Sequence, residues 1–170
     1  MEFQDVVRNR HSVRDFQEKK VDVKIIKRII DAAMSAPSAG NLQAYKIHIV
    51  RSKESRESIA IGSDQHNLAK VPVILVFCAD ILKSEAKYHE RGAELYSFQD
   101  ATIACAYAQL AAANEGLSTV WVGGFEPLEI ARIVGAVEYE VPCAMLAIGY
   151  PNAKPRMTDR RPMEEIVKEL

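Results

Sequence analysis

Apolar side chains recur at helical spacing through Ile25, Ile26, Ile29, Ile30, Ala33 and Met34. A helix with one buried face is therefore predicted between Asp22, a good N-cap, and Pro37, which closes it. The period then changes. Tyr45–Val50 alternates and reads as a strand, whereas residues 71–78 are apolar on both faces and read as a central strand. Phe3, Val6 and Val7 have the spacing of a short opening helix. Alanine dominates residues 94–114 and Gly116 follows as a stop, which predicts a long buried helix. Ser118–Val122 reads as a strand running into Gly123-Gly124, residues 126–134 as a helix with proline in its first turn, and 141–148 as the last strand. After Gly149-Tyr150-Pro151 the chain is polar until residues 163–167. No repeat, low-complexity tract or linker interrupts this alternation, so one domain over residues 1–170 is expected.

Composition narrows the class. With 48% hydrophobic and 26% charged residues in 170, the chain can bury a sizeable core and has no reason to be disordered. A net charge of -1 argues against a nucleic-acid partner, which calls for a basic surface. The first residues are acidic rather than signal-like, and the apolar runs fall short of the roughly 20 residues a membrane span needs, so no membrane partner and a cytoplasmic location are expected. Cys78, Cys105 and Cys143 are odd in number, far apart and set among apolar neighbours, which reads as buried free thiols. His89-Glu90 begins like a zinc-protease helix, but Ala93 stands where the second histidine belongs, and no metal site is expected.

The charge is unevenly spread. Arg8-Asn9-Arg10-His11-Ser12-Val13-Arg14 packs three arginines, a histidine and a serine into seven residues. Guanidinium forks match phosphate bidentately and a hydroxyl adds a further bond, so this stretch is either an anion site or a solvated basic turn. The chain has neither Gly-x-Gly-x-x-Gly nor Gly-Lys-Ser/Thr. An anion site here has to be assembled from separate segments.

Four blocks in order carry a family resemblance: residues 10–16, Ala36-Pro37-Ser38-Ala39-Gly40-Asn41-Leu42-Gln43, residues 116–125, and Ile148-Gly149-Tyr150-Pro151 followed by Lys154-Pro155-Arg156 and Arg160-Arg161-Pro162. Together they resemble the FMN-dependent nitroreductase family over essentially the whole chain. The resemblance implies an α+β fold: a central mixed, mostly antiparallel sheet flanked by helices, in an intertwined homodimer with one FMN at each of two interface sites. It also implies roles. Arg10, His11, Ser12 and Arg14 match the first FMN motif. Arg10 and Ser12 go with the phosphate, and Arg14 is the candidate cation at the ring, where such a charge tunes the cofactor's potential. A surface salt bridge from Arg14 to Asp15 or Glu18 is the alternative, and Arg8 reads as a solvated helix residue.

Pro37, Ser38, Asn41 and Gln43 match a loop that in the family comes from the opposite subunit and lies near the flavin; the alternative is a plain helix-ending turn. Ala44-Tyr45 departs from the proline and aromatic residue of many relatives, which weakens the match at Gln43. Asn67 and Lys70 match a pair set against the pyrimidine end of the ring, or else form a solvated helix surface. Gly123 and Gly124 match a turn facing flavin N5, where a missing Cβ allows close approach, or simply end a strand. Arg160 and Arg161 match terminal basic residues that return to the phosphate, Arg160 being the better fit. Tyr88, Tyr96 and Phe98, within residues 81–98, are expected in a modest lid over the acceptor pocket or in the dimer interface.

The implied activity is hydride transfer from NADH or NADPH to FMN, then electron transfer to a small-molecule acceptor such as a nitroaromatic, quinone or flavin, in ping-pong order. The cofactor carries that chemistry, so no acid, base or nucleophile is nominated. The alternatives are a specialised flavin reaction on the same scaffold, such as reductive dehalogenation or flavin fragmentation, and a noncatalytic FMN-binding module.

Overall fold

The computed structural model describes residues 1–153 and 158–170; Lys154, Pro155 and Arg156 of the fourth block lie outside the described residues. The chain opens with α1 (Phe3–Asn9) and α2 (Val23–Met34), whose N-cap Asp22 accepts the Lys24 amide at 2.7 Å. Then follow β1 (Tyr45–Val50), α3 (Lys53–Gly62), β2 (Val73–Asp80), α4 (Ile81–Arg91), α5 (Ser97–Asn114), β3 (Ser118–Val122), α6 (Pro127–Val134) and β4 (Glu140–Gly149). The strands form an antiparallel sheet in the order β1-β2-β4-β3. The one parallel pairing among the described residues is an isolated bridge between Ser12 and Thr119.

Alternation along the two central strands builds a core on each face of this sheet. Val73, Leu75 and Phe77 of β2 meet Ala144, Leu146 and Ile148 of β4, under α2 and α5. Ile74, Val76 and Cys78, with Met145 and Ala147, face the other way against Ile59 of α3 and Ile130 of α6. The helices thus make a layer on either side, and residues 71–78 read as a central strand because that strand is covered twice.

Two stretches differ from the pattern-based expectation. The long alanine-rich helix begins at Ser97 rather than 94, because one wide π turn over Gly92–Tyr96 joins it to α4. Gly92 lies hard against the Ser84 carbonyl, where a Cβ would collide with backbone. Helix α3 stands where no element was expected, since Ile59, Ala60 and Ile61 cluster at its C-terminal end instead of repeating along it.

Cys78 and Cys105 are buried, and Cys143 is half-buried with its Sγ donating to the Phe77 carbonyl at 3.4 Å. Burial pushes the Cys78 thiol up to about 12 and the Cys143 thiol to about 11, and raises Cys105 further. A thiol reagent at pH 8 is expected to leave the native protein unlabelled and to modify all three thiols on unfolding. Rapid labelling of the folded chain would contradict this burial. Because the folded thiols titrate above the unfolded value near 9, they support the fold below that pH, and this support is lost as pH rises toward their folded values.

Candidate functional site

Residues 12–17 run along the sheet as an irregular fifth ribbon. The Val13 amide donates to the Thr119 carbonyl (2.9 Å), the Gln17 amide to the Tyr150 carbonyl (2.9 Å) and the Asn152 amide to the Asp15 carbonyl (3.1 Å). Val13 and Phe16 are buried and pin the ribbon, which leaves Ser12 and Arg14 facing out. Arg10 and His11 are half-buried just before it. The His11 Nδ1–H donates to the Asn9 carbonyl at 2.9 Å; since a carbonyl can only accept, Nδ1 carries the proton and a neutral ring leaves Nε2 free to accept. Arg14 makes neither salt bridge proposed as its alternative: the Asp15 carboxylate accepts from Asn152 Nδ2 at 2.8 Å instead. Among the described residues, Arg10 and Arg14 form no ion pair.

The bridge from Ser12 to Thr119 ties this basic ribbon to β3, which leads directly into Gly123 and Gly124. Both glycines are exposed and neither has a positive φ. A Cβ on Gly124 would meet nothing within 4 Å, and one on Gly123 only the Trp121 ring at 3.7 Å. Nothing within the chain explains a glycine pair here.

A second loop carries unusual backbone. Gly40 (φ 54), Asn41 (φ 57) and Gln43 (φ 50) are all left-handed, which glycine adopts freely, asparagine tolerates and glutamine rarely does. Each such non-glycine residue costs about 1–3 kcal/mol and persists only where its surroundings hold it. Ser38 Oγ accepts the Gln43 amide at 3.0 Å. The buried Asp100 of α5 accepts the Ala39 amide at 2.8 Å and the Ala44 amide at 3.3 Å, one on each side of the strained turn. Pro37 and Asn41 remain exposed.

Three comparisons bear on this geometry. The family model described as "Nitroreductase family" matches residues 7–64 and 60–150. The chain belongs to the nitroreductase family. It is 30% identical over 165 residues to a Methanothermobacter thermautotrophicus protein whose name includes "NADH dehydrogenase/NAD(P)H nitroreductase", spanning 94% of this chain and 82% of that one. It is also 30% identical to an FMN reductase [NAD(P)H] of Bacillus subtilis, over 91% of this chain and 68% of the relative. A nitroreductase family protein of Streptococcus pneumoniae shares the fold at a TM-score of 0.90 and 22% identity, covering 99% of this chain and all of that one.

The remaining family positions are less tightly drawn together. Asn67 and Lys70 lie on a short 3₁₀ turn, His66–Lys70, where i and i+3 eclipse; Asn67 is half-buried and Lys70 exposed. Arg161 is engaged within the tail, donating to the Glu165 carboxylate at 3.0 Å and the Glu165 carbonyl at 2.9 Å. Arg160 is exposed, with one weak contact to Thr158 Oγ1 at 3.4 Å. Among the described residues, neither arginine makes a hydrogen bond or ion pair with the first motif.

Two features that hold the 37–43 loop escaped sequence reading. Asp100 is one, its signal a single carboxylate inside an alanine-rich helix. The other is the contact of α4 with the strained loop: Gly40 packs against Lys87 and the Tyr88 hydroxyl. Tyr88 meets Tyr96 edge to face at 5.2 Å, and Arg91 Nε donates to the Tyr96 hydroxyl at 3.0 Å. His89 is left-handed (φ 53) between them, and the wide turn follows. The 81–98 segment, expected as a lid or in the dimer interface, thus touches the 37–43 loop through Lys87 and Tyr88. Phe98 is half-buried at the start of α5.

Proposed function

We propose that this chain is an FMN-dependent NAD(P)H oxidoreductase, passing reducing equivalents from NADH or NADPH to a nitroaromatic, quinone, flavin or similar small acceptor. The observation that carries this is the ribbon and glycine pair on one strand. Unpaired Arg10 stands with Ser12 at the Thr119 end of β3, unpaired Arg14 follows two residues further along the parallel ribbon, and the open Gly123-Gly124 follows the strand's other end. Four residue steps of extended chain lead from Thr119 to Gly123, about 13 Å at roughly 3.3 Å per residue. A ligand with an anion at one end and a flat ring at the other suits that span. FMN supplies hydride and electron transfer when bound.

The chain's residues supply binding and orientation. Arg10 and Ser12 hold the phosphate with Arg160 and Arg161, Arg14 places its charge at the ring, and Gly123 and Gly124 let the main chain lie against it. His11, Pro37, Ser38, Asn41, Gln43, Asn67 and Lys70 complete the cofactor surroundings. Residues 1–170 act as one FMN-binding domain in a cytoplasmic homodimer. Exposed Phe3 of α1 and Tyr107 of α5 line one apolar hollow of about 560 Å³, and Ile103 is exposed one turn before Tyr107; this face supports self-association. Among the described residues no helix is long and apolar enough to cross a membrane.

The purified protein is expected to be yellow, to release FMN on denaturation, and to bleach with NADH or NADPH under anaerobic conditions. Reoxidation by each candidate acceptor then ranks the substrates. Bound FMN that no nicotinamide reduces would favour a binding module, and a protein that takes up no FMN would end both readings. Size-exclusion chromatography with light scattering tests the dimer, and a monomer retaining tight FMN would reject it.

A further inference from the structure

A groove of about 300 Å³ opens where β1 ends, α3 begins and the 3₁₀ turn His66–Lys70 runs toward β2. Lys20, Arg51, Lys53, Arg56 and Lys70 line it, opposed by Glu18 alone. On a chain of net charge -1, such a concentration is local rather than a reflection of general basicity. Lys53 is drawn toward Glu57 at 3.7 Å. Lys20, Arg51, Arg56 and Lys70 form no ion pair among the described residues.

Arg56 sets the character of the groove. One of its terminal nitrogens donates to the Ala69 carbonyl at 2.8 Å and the Val71 carbonyl at 2.7 Å, so neutral acceptors fix the guanidinium and leave its charge uncompensated. Its Nε is buried with no partner. Helix α3 also begins at this rim, and its N-terminal end adds partial positive charge. Fixed charge from a tethered fork, surrounded by exposed cations, favours an acceptor with several oxygens and more than one negative charge.

We propose that this groove binds a phosphate dianion, as a phosphomonoester or as free inorganic phosphate. NADPH differs from NADH by one such group, so occupation by the donor's 2′-phosphate would set the coenzyme preference that the proposed activity leaves open. Binding itself does not depend on that activity. Lys70 belongs to the flavin candidates, and Arg56 is tied into the fold, so the test uses exposed Lys20 and Arg51.

Isothermal titration at low ionic strength compares inorganic phosphate, NADP⁺ and NAD⁺ on the protein as purified, the K20A/R51A variant, and K24A/K27A. The last loses the same charge from α2. Saturable phosphate binding, weakened at least about tenfold in K20A/R51A but kept in K24A/K27A, supports the site. Tighter binding of NADP⁺ than NAD⁺, lost only in K20A/R51A, identifies the dinucleotide as the source. Phosphate binding with NADP⁺ and NAD⁺ alike identifies the free ion. No saturable binding of phosphate or NADP⁺, or equal weakening in both variants, overturns the proposal. Because titration needs no turnover, a protein that fails as a reductase still gives an answer here.

Discussion

Arg10→Ala is expected to lose bound FMN roughly 10- to 100-fold more readily than wild type, while Arg14→Ala retains it within a few fold. A charge-assisted hydrogen bond to an anion contributes about 1.5–3 kcal/mol, and each 1.4 kcal/mol is about tenfold in affinity. Arg10 is half-buried with no carboxylate partner among the described residues, so an anion is what its charge lacks. Arg14 stands exposed on the ribbon between the buried Val13 and Phe16, and its charge is assigned to the ring. Its removal should leave the potential of the bound flavin more negative, by about 30 mV for each 1.4 kcal/mol lost over two electrons. Equilibrium dialysis and a spectroelectrochemical titration separate the two effects. Equal loss of retention in both variants, with no change in potential, would sink the division of roles.

The second large effect is expected at Asp100. Asp100→Ala strips the acceptor from the Ala39 and Ala44 amides, and each unsatisfied group costs about 1–3 kcal/mol where it stays buried. A melting temperature lower by about 10 °C follows for a chain of this size. Cleavage by protease within residues 37–43 should rise with it. Asp100→Asn keeps one acceptor oxygen and is expected to fall between wild type and Asp100→Ala. A melt unchanged to within about 2 °C in Asp100→Ala would show that the left-handed turn holds itself.

How much of this was legible depends on how each feature is encoded. The start and end of β3 fell as expected, because Gly116 stops the preceding helix and Gly123 ends the strand. Helix α2 was equally plain, its cap and its apolar stripe agreeing. The order β1-β2-β4-β3 was not legible, since alternation tells which face a residue covers and not which strand lies beside it. Helix α3 was missed because three apolar residues at one end make no period. For the candidate site, contiguous blocks named the residues, whereas relations between blocks needed coordinates. Asp100 lies about sixty positions from the loop it clamps, and Gln43 carries no propensity for the conformation it adopts.

The ribbon of residues 12–17 also has a consequence for solubility. β3 is the outer strand on its side of the sheet, and the Val13 amide occupies the Thr119 carbonyl that would otherwise face an unpaired edge. An open edge invites strand addition by another chain. The segment proposed to grip the cofactor therefore also shields the sheet from its own copies. Substitutions that loosen it should lead to loss of colour and aggregation together.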